Sequence, residues 1–350
     1  MDDLPTQIFE AIRDHHTTFG STVSSRVPLC LPPHAPDPEL YALGISRFAE
    51  IFFAFESAWL SQLRRTSLTD LSNYHTEGDV DSFINDDAGR IGKMLSEIFI
   101  PELLRSERLR ADLLNLESVV EAEKEEDSHA MKENAATAFA SHIRDSTEHR
   151  PHLILVYAWI MYMALLNGGR RIRTKLVSAG PYFWEPKNHD GTLQTPPATS
   201  DGRPPPPNGL SFWFFDYDSN DQGIKYAFRE RILSASSLLT STERTEVIAE
   251  AVEIFHQCNL IVAEIDVEIA RTAHHRRKAQ RKASSSRILS SLKANLPPTS
   301  LGSRVRPILV GVAGLLGGLC AWLWAINAEV VQGYGLWSSR SNETDGQGYY

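Results

Sequence analysis

The amino-acid sequence predicts an all-α fold, a multi-helical bundle followed by a C-terminal transmembrane helix. Three observations carry this. Apolar residues recur at helical spacing along most of the chain up to Ile269, while the alternating Val/Ile/Thr runs that would flank a hairpin turn are missing. The run from Ala158 to Leu166 is apolar nearly all round and passes through Asn167-Gly168-Gly169 into Arg170-Arg171-Ile172-Arg173. The stretch from Pro307 to Ala328 holds no charged side chain, and at about 1.5 Å per residue it spans roughly 33 Å, enough for a bilayer core.

Along the chain, Thr6 to Thr18 reads as an amphipathic first helix with Phe9, Ile12 and His16 on one stripe. The proline-rich segment from Arg26 to Pro38 ends it. Glu39 to Leu63 follows as a long aromatic-rich helix carrying Tyr41, Phe48, Phe52, Phe53, Phe55 and Trp59. Helices are expected over Ile91 to Leu104 and Arg105 to Leu116, interrupted by Pro101, and Glu117 to Glu133 is an acidic, solvated helix or loop. His152 to Leu176 is the glycine-interrupted helix. Glu185 to Gly209, with Pro204-Pro205-Pro206-Pro207, reads as a flexible insertion. Ile224 to Ser236 and Thr242 to Ile269 close the domain, with Thr240-Ser241-Thr242-Glu243 offering N-cap residues. The expected organisation is a helical domain over 1–270, a basic linker over 271–306, an anchor over 307–328 and a tail over 329–350.

Composition narrows the function. Hydrophobic content of 42% and charge of 23% place the 350 residues among globular chains, with room for one large domain or two small ones. A net charge of −9 argues against general nucleic-acid binding. Cys30, Cys258 and Cys320 lie far apart and form no CxxC pair, so neither a disulfide framework nor a zinc site is indicated and a reducing compartment is the simpler reading. Gly-x-Ser-x-Gly and His-Glu-x-x-His are both missing, and His142, His149 and His152 have no compact metal spacing. The start, Met1-Asp2-Asp3-Leu4-Pro5, is not a secretory signal.

The apolar C-terminal stretch is flanked asymmetrically. Arg271, Arg276, Arg277, Lys278, Arg281, Lys282, Arg287, Lys293, Arg304 and Arg306 precede it, whereas only Arg340 follows. The positive-inside rule then puts the main domain in the cytosol, and Trp322, Trp324 and Trp337 suit the interfaces. The basic stretch either touches anionic lipid heads or is a solvated linker. Asn342-Glu343-Thr344 is a weak glycosylation sequon on the far side.

Paired glycines inside a helix cost about 1 kcal/mol each relative to alanine. A fold accepts them where the helix kinks for packing, or where its backbone lies against something flat and large. With His15-His16 on the first helix, the Gly168-Gly169 pair suggests a heme held between two helices. Three segments sharpen this: Tyr41 through Phe52-Phe53-Ala54-Phe55-Glu56; Tyr162 with Gly168-Gly169; and Ile224-Lys225-Tyr226-Ala227-Phe228-Arg229-Glu230-Arg231 followed by Leu239-Thr240 and Glu250-Ala251-Val252-Glu253-Ile254-Phe255. Together they resemble the heme oxygenase family, in a fungal-type, C-terminally membrane-anchored form.

The resemblance implies a heme oxygenase-like bundle with heme as both cofactor and substrate. It implies His16 as the proximal iron ligand and metal site, with the adjacent His15 turned about 100° away as the alternative. It also implies Lys225 and Arg229, with Arg13 a further candidate, as partners of the propionates, and Tyr162 and Phe255 beside the porphyrin. Asn167, Gly168 and Gly169 would form the catalytic distal turn. Two positions depart from the family: Leu165 stands where a distal acidic residue is expected, after Ala164 in place of a glycine, and Gly20 stands where an acid would support the proximal histidine.

The expected activity is oxidative cleavage of heme to biliverdin, CO and ferrous iron with O₂. No GxGxxG fingerprint appears, so electrons are expected from a separate NADPH-dependent reductase, and the expected location is a tail-anchored position in the endoplasmic reticulum membrane. Leu165 and Gly20 keep a second reading open, a catalytically impaired heme-binding or heme-sensing protein. A third is a membrane-tethered helical interaction protein without a cofactor.

Overall fold

The computed structural model describes residues 3–73, 87–120, 134–185, 206–215 and 221–294. The expected anchor and tail lie outside the described residues, as do most of the acidic segment and most of the proline-rich insertion. Contacts divide the chain into units Met1–Lys282 and Ala283–Tyr350, and the elements below belong to the first until the last helix crosses that boundary.

All regular elements among the described residues are helical. Helix α1 spans Leu4–Arg26, with the Asp3 carboxylate accepting from the Thr6 N–H at 2.7 Å and Pro5 in the first turn, where no intrahelical donor is lost. It runs two turns beyond Thr18 and ends only at the proline-rich segment. Its buried stripe is Leu4, Ile8 and Ile12. The expected stripe therefore splits: Ile12 faces the core, while Phe9 and His16 remain exposed.

Helix α2 spans Glu39–Asn73, α3 Asp87–Ile98 and α4 Ser106–Val120, with a 3₁₀ turn at Pro101–Leu103 where the sequence marked a break. Helix α5, Ala135–His149, was not anticipated. Its small apolar face (Ala136, Phe139, Ala140, Ile143) packs on α2. A reciprocal cap starts it: the Asn134 side chain accepts from the Ala136 and Thr137 amides, and the Thr137 hydroxyl accepts from the Asn134 amide.

Helix α6, Ile154–Ala164, continues through a π-helical turn, Leu165–Gly169, into α7, Arg170–Ser178. The expected kink is thus a bulge within a continuous rod. The rod, Pro151–Ser178, is long and apolar enough to cross a membrane, with mean hydropathy 1.4 over its most apolar window, but 67% of that window is buried inside the protein. It is the central core helix.

The short α8, Pro181–Trp184, precedes α9, Gln222–Ala235, and α10, Ser241–Ala294. Thr240 caps α10: its amide and hydroxyl donate to Glu243 at 2.8 and 3.0 Å, and the Glu243 amide donates back at 3.3 Å. The basic segment expected as a linker continues α10 as far as Ala294; its Ala, Arg and Lys content favours a helix. Arg26 grips both Asp266 carboxylate oxygens and Arg47 pairs with Glu268 at 3.0 Å, tying α1 and α2 to α10. An aromatic core of Phe52, Phe55 and Trp59 from α2, Tyr162 from α6 and Phe228 from α9 sits between these helices.

Candidate functional site

The π-turn has two unlike faces. Leu165, Leu166 and Gly169 are buried, whereas Ala164, Asn167 and Gly168 are exposed. A side chain added at Gly168 would meet no atom within 4 Å. Packing therefore does not require glycine there, although alanine would favour the helix by about 1 kcal/mol. The result is a stretch of bare backbone beside a carboxamide, at a rare helical irregularity of the kind that often marks functional positions.

Behind the turn lies the segment 206–215, which starts in the last four residues of the expected insertion and continues past it. Gly209 holds a left-handed φ of +76° with the Leu116 side chain 2.8 Å from where a Cβ would sit, so only glycine fits. Asp112 of α4 is 1% exposed and accepts from the Ser211 amide at 2.9 Å, the Ser211 hydroxyl at 2.7 Å and the Phe212 amide at 2.7 Å. Burial pushes the Asp112 carboxyl above the usual carboxylate range, against the pull of these donors. Arg105 donates to the Phe214 carbonyl at 2.7 Å and lies over the Phe215 ring at 4.2 Å.

This strap meets the rod at Gly169, where an added Cβ would touch the Trp213 ring at 3.5 Å. The Trp213 Nε1–H donates to the buried Tyr41 hydroxyl at 2.8 Å. One turn along α7, Arg173 donates to the Trp213 carbonyl at 3.0 Å, lies over the Phe214 ring at 5.1 Å and pairs with Asp221 at 2.9 Å.

A second buried anchor holds the rod just before the turn. Glu56, 1% exposed, accepts from the Arg105 amide at 2.8 Å, the Ser106 amide at 2.9 Å and the Tyr162 hydroxyl at 2.9 Å. It satisfies two amides at the start of α4, which have no intrahelical acceptor, and fixes α6 to α2. Burial, reinforced by the Glu56 charge, raises the Tyr162 hydroxyl well above its ordinary range, so it stays a donor. Tyr162 was expected beside a ligand; the structure corrects this, because its ring is enclosed by Phe52, Phe55, Trp59 and Phe228 and its hydroxyl is engaged.

The first helix offers a different surface. Phe9, Arg13 and His16, at i, i+4 and i+7, are all exposed, with Phe9 at 54% and the Arg13 guanidinium 5.8 Å from its ring centroid. His16 stands edge-on to Phe255 of α10 at 5.9 Å, and Phe255 meets Phe19 at the same distance. Phe255, expected on a ligand's face, is a buried support for the His16 ring. His15 is exposed too. Gly20, one turn beyond His16, is exposed with open space around it, and Leu165 is buried, so neither position supplies an acid.

Of the basic candidates, Lys225 is half-buried and Arg229 is exposed on α9. Arg229 is close enough to Asp3 to help lower its carboxyl, after the hydrogen bonds from Thr6. Arg229 thus approaches the N-terminal end of α1, and Arg13 lies between that end and His16. Among the described residues no group of three or more His, Cys, Asp or Glu could hold a metal ion. The anchoring residues Glu56, Asp112 and Trp213 were not singled out for these roles in the sequence. The run Ser211-Phe212-Trp213-Phe214-Phe215, just past the prolines, was the signal for the strap.

Comparison with known proteins supplies the context for this arrangement. The family model described as "Heme oxygenase" matches residues 82–264, just over half of the chain, including the rod, the strap and α9 but not α1. No curated protein matches the chain. Among solved structures, heme oxygenase 2 from Chlamydomonas reinhardtii, solved without heme, is 16% identical with a TM-score of 0.50, covering 75% of this chain and 97% of that one. A heme oxygenase from Leptospira interrogans (18% identical, TM-score 0.49) covers 75% of this chain and 100% of its own. Heme oxygenase-1 from the cyanobacterium Synechocystis, in complex with heme, is 14% identical with a TM-score of 0.49, covering 80% of this chain and 99% of its own. The Chlamydomonas structure shares the helical fold.

Proposed function

This chain belongs to the heme oxygenase family, and from that premise we propose that it binds heme between α1 and the π-turn and degrades it to biliverdin, CO and ferrous iron. The observation that carries the reading is the exposed, side-chain-free backbone at Gly168, which leaves room for a flat macrocycle on the open side of the turn.

The residues present fit such a group. The exposed imidazole of His16, propped by Phe255, would hold the heme iron. Arg13, Lys225 and Arg229 are the cations for the propionates, with the arginines able to grip a carboxylate through two N–H groups. The Phe9 ring offers apolar contact along the same stripe of α1. Heme, once bound, supplies the oxygen chemistry and is itself the substrate.

The protein's own contribution on the distal side falls to Asn167. Its carboxamide can donate and accept hydrogen bonds, so it can order a water beside the turn, where Leu165 offers no polar atom. A neutral carboxamide orients a water without itself releasing a proton, so we expect slower turnover than a carboxylate at this turn would give. Electrons come from an external NADPH-dependent reductase. The apolar stretch over 307–328 and the basic residues before it support anchoring in the endoplasmic reticulum membrane with the helical domain in the cytosol.

The test uses the full-length chain in detergent, loaded with hemin and supplied with a reductase and NADPH. Loss of the Soret band with appearance of a bilin and CO, all abolished by His16→Ala, is the expected result. A stable Soret band that His16→Ala alters, with no bilin, would leave a heme-binding protein without turnover. No Soret complex would overturn the reading.

A further inference from the structure

We propose that Trp213 is a positioning residue for the distal turn, setting from behind the place of the Asn167-Gly168 backbone on the open side. The inference rests on the heme reading above, but its structural part stands apart from it.

Three features carry it. Gly169 separates the exposed Gly168 from α7, is itself buried, and faces the Trp213 ring: a Cβ added there would meet the ring at 3.5 and 3.6 Å, ordinary van der Waals contact, and the Ala164 carbonyl oxygen at 3.4 Å. The indole is itself held, because its Nε1–H donates to the Tyr41 hydroxyl at 2.8 Å, and that hydroxyl reaches the Gly209 carbonyl at 3.4 Å. Tyr41 is buried and packs edge-on against Trp184 at 5.0 Å. Finally, the carbonyl of Trp213 is tied to the rod beyond the turn by Arg173 at 3.0 Å. Trp213 thus meets the rod twice, through its ring at the last residue of the π-turn and through its carbonyl one turn later.

A π-turn holds one residue more per turn than an α-helix, so the helix can relax by shifting that residue along the rod. The ring covering buried Gly169 and the Arg173 tie oppose such a shift. With the ring removed, the turn migrates or shortens, and Asn167 and Gly168 rotate away from the ligand face. The aromatic strap following the proline-rich segment therefore determines the geometry of the distal side.

The experiment compares wild type, Trp213→Phe and Trp213→Ala in the full-length chain. Without ligand, amide hydrogen exchange over 165–173 is expected to quicken about tenfold or more in Trp213→Ala, with α5 unchanged and Trp213→Phe intermediate. With hemin reduced under CO, the C–O stretch, which reports polar groups beside the bound gas, is expected to shift or broaden in Trp213→Ala and to recover partly in Trp213→Phe. Should Trp213→Ala fail to fold, Trp213→Phe and Arg173→Met carry both measurements. Exchange that rises equally in α5, or a C–O stretch identical to wild type, would overturn the proposal. Failure of wild type to bind hemin would overturn the heme reading instead, while the exchange measurement would still decide whether Trp213 holds the turn.

Discussion

The two faces of the distal turn are built by opposite rules. On the inner face, buried polar groups are matched by specific partners: Asp112 takes three donors, Glu56 takes three, and Trp213 finds the Tyr41 hydroxyl. On the outer face, Asn167 and Gly168 are exposed, and a Cβ placed at Gly168 would meet nothing within 4 Å beyond its own stretch of helix. The same five residues thus combine a rigid back with an unfilled front. The difference teaches where stability and function separate: the back determines whether the chain folds, and the front determines what it binds.

The largest effect should come from the back. Glu56→Ala strands two helix-start amides and the Tyr162 hydroxyl in a dry core, and should lower unfolding free energy by about 3 kcal/mol in urea denaturation. A loss below about 1 kcal/mol would mean that the inner face is not the anchor described. Asp112→Ala strands the Ser211 and Phe212 amides and should cost about 2 kcal/mol, with early proteolytic cleavage near the strap as a second readout. Front-face changes should behave differently. His16→Ala should leave stability within about 0.5 kcal/mol, since the ring is exposed, yet shift the Soret band of the hemin-loaded protein. Asn167→Leu should likewise leave stability within about 0.5 kcal/mol while slowing bilin formation at unchanged hemin affinity. A large stability loss in either would erase the contrast between the faces.

Much of this was legible in the sequence, for physical reasons. Helical periodicity marked α1, α2, α9 and α10, and the apolar run ending in paired glycines marked the rod. Helix α5 escaped because its buried face mixes Phe139 and Ile143 with small or polar residues (Ala136, Ala140, Ser146, Thr147), which weakens the periodic signal, although Asn134 and Thr137 form its cap. The outcome at Gly168-Gly169 was not readable locally. Paired glycines permit either a kink or a bulge, and the strap packed behind them, which is remote in sequence, is what accompanies the bulge. The expected insertion ended at Gly209, and just past it Leu210 and Phe212 are buried and Trp213 is hydrogen-bonded. On α1, the expected stripe joined Ile12 to Phe9 and His16, but a buried face centred on Ile8 and Ile12 leaves the other two on the open side. That separation is what makes His16 available.

Gly168→Ala tests the division between back and front most directly, because the two faces require opposite signs. In the ligand-free chain the added methyl enters open space in a helix, so thermal or urea unfolding should show a gain of about 0.5–1 kcal/mol. Hemin titrated into the same protein should bind at least about tenfold more weakly, because the methyl occupies the surface reserved for the macrocycle, a difference of about 1.4 kcal/mol. A variant that is more stable and still binds hemin as tightly as wild type would contradict the account.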